Sequence, residues 1–351
     1  MARLVVASPE DATSRADGRR YEIRLLAELS ARRHEATYLP LPQSFPIPSA
    51  EAVRTTLDRL RSVPSGTMLV VEGAAFCGLP ADRLAALGRP VSALLRYPAS
   101  LEPGLPPDAV AFLEASQRAA FGVAEVVIAT SAATRSLLIE RFGVPKEKLR
   151  VAEPGVDPSP RARGGGGDVP VILTVGAVLP RKNQLALARA LGRLTDIGWR
   201  WRIVGPLEAD VAYASALRDA VAEEGIADRV EFAGQLNQAG LAEAYDRADL
   251  FALPSYLEGY GMAYAEALAR GLPVVAGAGE AAAALVSGAA GELVPPDDPA
   301  TIAAALRNLL SEPDARARAA RSARSVGTRL PRWFQCADVF EHLMEQAAAR
   351  G

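Results

Sequence analysis

The stretch that most constrains this chain is residues 249–276, DLFALPSYLEGYGMAYAEALARGLPVVA. Leu250 to Leu253 is a short apolar strand closed by Pro254-Ser255. A loop with two glycines, Glu258-Gly259-Tyr260-Gly261, leads into an alanine-rich run with the composition of a helix. Gly271 stops that helix and Pro273 opens the next strand, Leu272 to Ala276, the glycine-then-proline order of a helix end. Strand, glycine loop, helix and strand make a βαβ unit whose loop lies at the carboxyl end of its first strand, where open α/β sheets bind ligands. The N–H groups of Gly259, Tyr260, Gly261, Met262 and Ala263 fall at a helix N-terminus, where the macrodipole favours an anion. The pattern therefore predicts a phosphate cradle.

Two carboxylates flank it. Glu258 stands just before the helix, and Glu266, four residues after Met262, projects from the same face toward the loop. A phosphate on the amides would leave one carboxylate on each side for hydroxyls, to which carboxylates bind strongly. On spacing alone, two solvated charges at a helix end account for the pair equally well.

The ordered string Pro254-Ser255-x-x-Glu258-Gly259-Tyr260-Gly261-x-x-x-x-Glu266-Ala267-x-x-x-Gly271-x-Pro273-Val274-Val275 resembles the signature of the family 4 glycosyltransferases, with its two glutamates eight positions apart. The resemblance implies an α/β chain of the GT-B class: two Rossmann-like domains with parallel sheets facing across a cleft, the second holding most of a sugar nucleotide. It implies that Glu258 contacts the donor sugar and Glu266 the ribose. It also implies transfer with retention of anomeric configuration.

At 351 residues, half apolar and 23% charged, the chain has length and core for two domains. A net charge of −2 gives no electrostatic case for nucleic acid as a partner. Only three lysines occur, Lys146, Lys148 and Lys182, which draws attention to Lys182. Cys77 and Cys336, far apart in sequence, suit a reducing compartment. No apolar run approaches the roughly 20 residues of a membrane span. The expected setting is the cytoplasm, with peripheral contact at the inner face of a membrane as an option.

Short apolar strands recur at Leu4 to Ala7, His34 to Leu39, Met68 to Val71, Val91 to Leu95, Val126 to Ala129 and Leu149 to Ala152, with helical patterns between them. Alternation of this kind predicts a parallel sheet covered on both faces. Leu39 to Pro48, with four prolines, reads as a loop. Pro154 to Asp168 (PGVDPSPRARGGGGD) reads as a flexible connection, because it can form no regular element. The domains are accordingly drawn as 1–157 on the acceptor side, a 158–169 linker, 170–330 for the nucleotide sugar, and 331–351 as a helix crossing back. Arg307 to Arg329 reads as a charged, solvated helical surface.

Val171 to Val175 opens the second sheet, followed by Gly176-Ala177-Val178-Leu179-Pro180-Arg181-Lys182-Asn183 and a helix from Gln184. Relatives place Arg directly after the glycine and Lys five residues later; here Ala177 takes the first position and Lys182 the second. Lys182 would offset charge on a leaving diphosphate, with Arg181 supplying part of what Ala177 lacks. A solvated turn is the plain alternative. Gln235-Leu236 resembles the segment that contacts the nucleobase through backbone groups, so base identity, uracil or guanine, stays open. In the first domain the family's paired glycines after strand one are reduced to Gly18, followed by Arg19 and Arg20. These arginines are read either as phosphate contacts or as a solvated helix face. Many relatives carry a His after the fourth strand; this chain has Arg96-Tyr97-Pro98, candidates to orient an acceptor. Glu102, four residues beyond Pro98, is read as a surface-loop residue, with reach into the cleft as the alternative.

These features, with retention and the acceptor class taken from the resemblance alone, point to a metal-independent retaining hexosyltransferase using a UDP- or GDP-sugar as co-substrate, with no cofactor and a saccharide or lipid-linked acceptor. The chain has no Asp-x-Asp and no His/Cys cluster with ligand spacing. The departures at Ala177, Tyr97 and the first loop keep open a catalytically silent sugar-nucleotide binder, or an isomerase or phosphorylase on the same fold.

Overall fold

The computed structural model describes residues 2–9, 18–167 and 169–349, with the side chains of 18–20 outside the described set. The chain divides into two compact units, Met1–Gly155 with Pro331–Gly351, and Val156–Leu330. Each is a six-stranded sheet in which every pairing between described strands is parallel.

In the first unit β1 (Arg3–Pro9), β2 (Glu35–Leu41), β3 (Thr67–Glu72), β4 (Ser92–Leu95), β5 (Val127–Ala129) and β6 (Leu149–Val151) lie in the order β2-β1-β3-β4-β5-β6. The apolar runs of the sequence become these strands because both faces are covered, so alternation is not required. The strand β2 runs past the expected end of His34–Leu39 and includes Pro40, paired with Ser8. As the sheet's edge strand it tolerates a proline, whose missing N–H would only have faced solvent. The helix Trp333–Ala348 belongs to this unit. Cys336 donates to the Tyr21 hydroxyl (3.1 Å), which donates to the Ala152 carbonyl (2.9 Å), and Arg32 bridges Asp338 and Glu341, each at 2.7 Å.

In the second unit β7 (Val171–Val175), β8 (Arg200–Val204), β9 (Val230–Gly234), β10 (Leu250–Leu253), β11 (Val274–Gly277) and β12 (Gly291–Val294) lie in the order β12-β11-β10-β7-β8-β9. The strand order reverses between β7 and β10, so the chain leaves these neighbours toward opposite flanks and opens a crevice at their carboxyl ends. Both faces are packed: Trp199, Trp201 and Leu217 lie in one core cluster, Tyr245, Phe251 and Tyr264 in another.

The Pro/Gly stretch forms no helix or strand, yet from Val156 onward it is tied to the second unit. Val156 is buried in that unit's core, and the amides of Ala162, Arg163 and Gly164 donate to the carbonyls of Arg270, Asp246 and Asp246, each at 2.9 Å. Gly165 and Val171 share the Asp249 carboxylate (3.2 and 2.8 Å). It is a bound strap, not the free tether that its composition suggests. The charged tail region is two helices, Pro299–Ser311 and Pro313–Arg329, separated at Glu312 by Pro313 in the first helical position.

Candidate active site

The loops that follow β7 and β10 carry the predicted donor-site residues other than Gln235 and Leu236, and the structure stitches these two loops together. After β7 the backbone turns at Gly176, packed beside the loop after β8; a methyl group on Gly205 would fall 2.0 Å from the Gly176 carbonyl oxygen. Pro180 then opens a 3-10 turn, Pro180–Lys182, ended by Asn183 in the left-handed conformation (φ 56°). Asn183 is buried and its amide donates to the carbonyls of Pro254 (3.2 Å) and Pro296 (2.7 Å). The Tyr256 amide donates to the Arg181 carbonyl at 2.9 Å, and the Arg181 guanidinium donates to the Leu257 carbonyl at 3.0 Å. Asparagine is among the few non-glycine residues that adopt the left-handed region readily, and here its side chain is held by the long-range carbonyls of Pro254 and Pro296.

Lys182 and Glu258 meet here. The Lys182 ammonium donates to the Glu258 carboxylate at 2.8 Å, and Arg181 stands 3.8 Å from the other carboxylate oxygen. The lysine side chain is 9% exposed and the glutamate 12%, so solvent screens the pair weakly. Burial alone would raise the Glu258 pKa, but the fields of Lys182 and Arg181 outweigh it and hold the carboxyl below the usual carboxylate range. Two cations against one anion leave one excess positive charge among these three groups.

Gly261, at φ +94°, is the residue before the helix Met262–Ala269. A methyl group there would fall 2.6 Å from the Tyr264 ring, so only glycine fits this approach. Tyr264 donates to the Leu253 carbonyl at 2.7 Å and fixes the helix against β10; burial pushes its phenol pKa up. The amides of Met262 and Ala263 are therefore presented in the first turn, beside the buried Gly259 and Tyr260. Glu266 is buried on the same helix. Gln235 and Leu236 follow β9, the edge strand two places from β7; Gln235 is exposed and Leu236 packs on the core.

In the first unit Arg96 follows β4, but its guanidinium is held within the protein. It donates to Glu22, whose side chain is fully buried, and lies 3.7 Å from Glu72. Burial raises the Glu22 pKa against the pull of Arg96. The Tyr97 hydroxyl donates to Glu102 at 2.9 Å, so Glu102, though in a loop, is half-buried and held by a partner within the unit. Arg96, Tyr97, Glu102 and Glu72 line a pocket of about 490 Å3 with Phe45 and Pro46. Gly18 and Arg19 open the helix Gly18–Ala31, and their side chains lie outside the described residues. Among the described residues no three His, Cys, Asp or Glu side chains are grouped to hold a metal, and no helix is long and apolar enough to cross a membrane.

Sequence reasoning passed over Asn183, Glu22 and Glu72. Asn183, at the boundary between a turn and a helix, had a readable signal. Glu72 ends β3, a position that the carboxyl-end rule would have flagged. Glu22 lies inside a helix and carries no local signal.

With this geometry in place, the class of fold is clear: the two parallel sheets are those of the GT-B glycosyltransferases. Sucrose-phosphate synthase from Thermosynechococcus elongatus superposes with a TM-score of 0.82 at 20% identity, covering 99% of this chain and 100% of that one. Anabaena HepE in complex with UDP and glucose gives 0.78 at 18% identity, covering 98% and 100%. Residues 159–326, slightly under half of the chain, match the family described as Glycosyl transferases group 1. In sequence the chain is similar to a D-inositol 3-phosphate glycosyltransferase of Kineococcus radiotolerans, 37% identical over 235 residues, 58% of this chain and 54% of that protein. The chain spans about half the length of the curated relatives it matches.

Proposed function

We propose that the protein is a retaining glycosyltransferase that moves a hexose from a nucleoside diphosphate sugar to an acceptor hydroxyl. The observation that carries this reading is the Lys182–Arg181–Glu258 cluster at the strand-order reversal, beside the N-terminus of helix Met262–Ala269. The match of residues 159–326 to group 1 glycosyltransferases supports it, as does the likeness to HepE, whose structure holds UDP and glucose.

In this reading the diphosphate sits on the amides of Gly259 to Ala263 and on Lys182, with Arg181 adding field. The ammonium of Lys182 leaves Glu258 for the phosphate, and Glu258 is then available to the hydroxyls of the hexose. Glu266 takes the ribose and Gln235-Leu236 the base, UDP or GDP. The acceptor oxygen bonds to the anomeric carbon on the face from which the phosphate departs. The C1–O bond to the β-phosphate breaks, and the departing phosphate oxygen takes the acceptor's proton. The protein's part is positioning and stabilisation of diphosphate charge. The excess positive charge of the cluster and the helix dipole do this without a metal or a cofactor. The first-unit pocket with Tyr97 and Glu102 is the candidate acceptor site, for a saccharide or lipid-linked hydroxyl.

Lys182→Ala tests the reading. Turnover of the donor, as transfer or hydrolysis, should fall by about 100-fold or more, the scale of losing one charge-stabilising donor. Near-normal turnover would remove Lys182 from the mechanism.

A further inference from the structure

The helix Pro313–Arg329 carries five arginines against one aspartate, in a chain whose net charge is −2. Its two faces are unlike. Ala320, Ala323 and Gly327 are packed inward, and a methyl group on Gly327 would fall 2.2 Å from the Leu268 carbonyl oxygen, so this helix lies close against helix Met262–Ala269. Arg316 and Arg324 serve carbonyls: Arg316 those of Leu309 (2.7 Å) and Leu310, Arg324 those of Ser159 (2.8 Å) and Ala269.

The opposite face repeats at 318, 321, 325 and 329, one side of a helix over about 16 Å. Arg318, Arg321 and Arg329 are exposed there, and none has a carboxylate partner among the described residues; Arg329 donates to the Ser325 hydroxyl (2.9 Å). Asp314, in the first turn and four residues before Arg318 on the same side, complements the helix dipole. Arg161 of the strap adds a fourth exposed positive charge at the flank, also without a carboxylate partner among the described residues. A methyl group on Gly271 would lie 3.3 Å from Arg324 Cβ and 3.7 Å from Arg161 Cγ, which places Arg161 beside this helix.

We propose that this arginine face docks the protein on an anionic bilayer surface. The face holds Asp314, Ser325 and Thr328 besides Arg318, Arg321 and Arg329, so its balance is three positive charges against one negative, with no aromatic side chain to stack on a base and no apolar anchor for a protein partner. A line of positive charge with nothing to read shape or sequence matches a diffuse plane of phosphates, where each arginine contributes about fivefold to partitioning. Because the helix backs directly onto helix Met262–Ala269, docking would bring the second unit's Glu266 helix close to the lipid surface. The proposal does not depend on the donor assignment.

Co-sedimentation of the full chain with vesicles tests it. Binding is expected to vesicles of about one-third phosphatidylglycerol and not to pure phosphatidylcholine, and it should be lost in about 0.5 M salt, where screening is strong. The double variant Arg318→Glu/Arg321→Glu should bind at least about 25-fold less, from the removed charges alone, with its melting temperature unchanged. A control, Arg54→Glu/Arg200→Glu, reverses two exposed arginines on other elements and should bind far better than the helix variant. Absence of binding to the anionic vesicles, equal loss in the control, or tighter binding to a single-stranded RNA than to the vesicles would each overturn the proposal.

Discussion

Replacing Glu258 with glutamine separates the counter-ion role that the site's geometry gives this residue from the sugar contact proposed for it. The substitution keeps an oxygen within reach of the Lys182 ammonium, now 2.8 Å away, but removes the charge that Lys182 and Arg181 share. A hydrogen bond to a charged group contributes about 1.5–3 kcal/mol net and a neutral one about 1, so a loss of about 1 kcal/mol is expected while the neutral bond remains. For a unit of this size that lowers the melting temperature by about 2–4 °C. The sign with pH follows from the depressed carboxyl. A glutamate whose folded pKa is below its unfolded value stabilises the fold above the unfolded value, and that contribution fades as pH falls through the folded one. The deficit of Glu258→Gln should therefore be full at neutral pH and shrink in acid. UDP or GDP should show the opposite effect. With the competing carboxylate gone, both cations meet the diphosphate, and affinity should rise by about tenfold, the scale of one charge a few ångströms away in a half-screened site. Turnover should fall, because the sugar has lost its carboxylate. Urea melts across pH, nucleotide titration calorimetry and donor turnover measure the three. Unchanged stability together with weakened nucleotide binding would refute the reasoning, since Glu258 would then act as a direct nucleotide ligand and not as the counter-ion that the nucleotide displaces.

Two further outcomes follow from the packing. Arg96→Met leaves the fully buried Glu22 without its guanidinium; the first unit should lose about 3–5 kcal/mol, and because burial raises the Glu22 pKa the loss should grow as pH rises from the ordinary carboxylate range toward neutral, which denaturant melts at two pH values would register. Gly261→Ala must place a methyl group 2.6 Å from the Tyr264 ring at φ +94°, so nucleotide affinity, read by calorimetry, should fall by about tenfold or more as the first turn of the helix shifts.

Most of the fold was legible because its strands are short apolar runs bounded by glycine and proline, and because Gly176 and Gly261 stand where a strand gives way to a helix. That local grammar was enough to place Lys182 and Glu258 at the carboxyl ends of two strands. It could not show that those strands are neighbours, which depends on the order of the sheet. The pairing of Arg96 with Glu22 and Glu72 was hidden for the same reason: the partners are 74 and 24 positions away, and a residue after a strand reads as a ligand contact until its counter-ions are seen. Composition misled at the strap, where glycine and proline exclude helix and strand but say nothing of hydrogen bonds to Asp246 and Asp249. Pro40 misled at the edge strand, where the proline rule is relaxed.

The central claim, a metal-free diphosphate site built from the loops after β7 and β10, is tested most directly by thermal unfolding against UDP, GDP, ADP and their sugars with a chelator throughout. Ligand at about 100 times its dissociation constant adds about 2.7 kcal/mol to the state that binds it. A rise of several degrees with UDP or GDP, and a much smaller one in Lys182→Ala, is the predicted result. No shift with any nucleotide, or one that needs a divalent cation, would contradict the account.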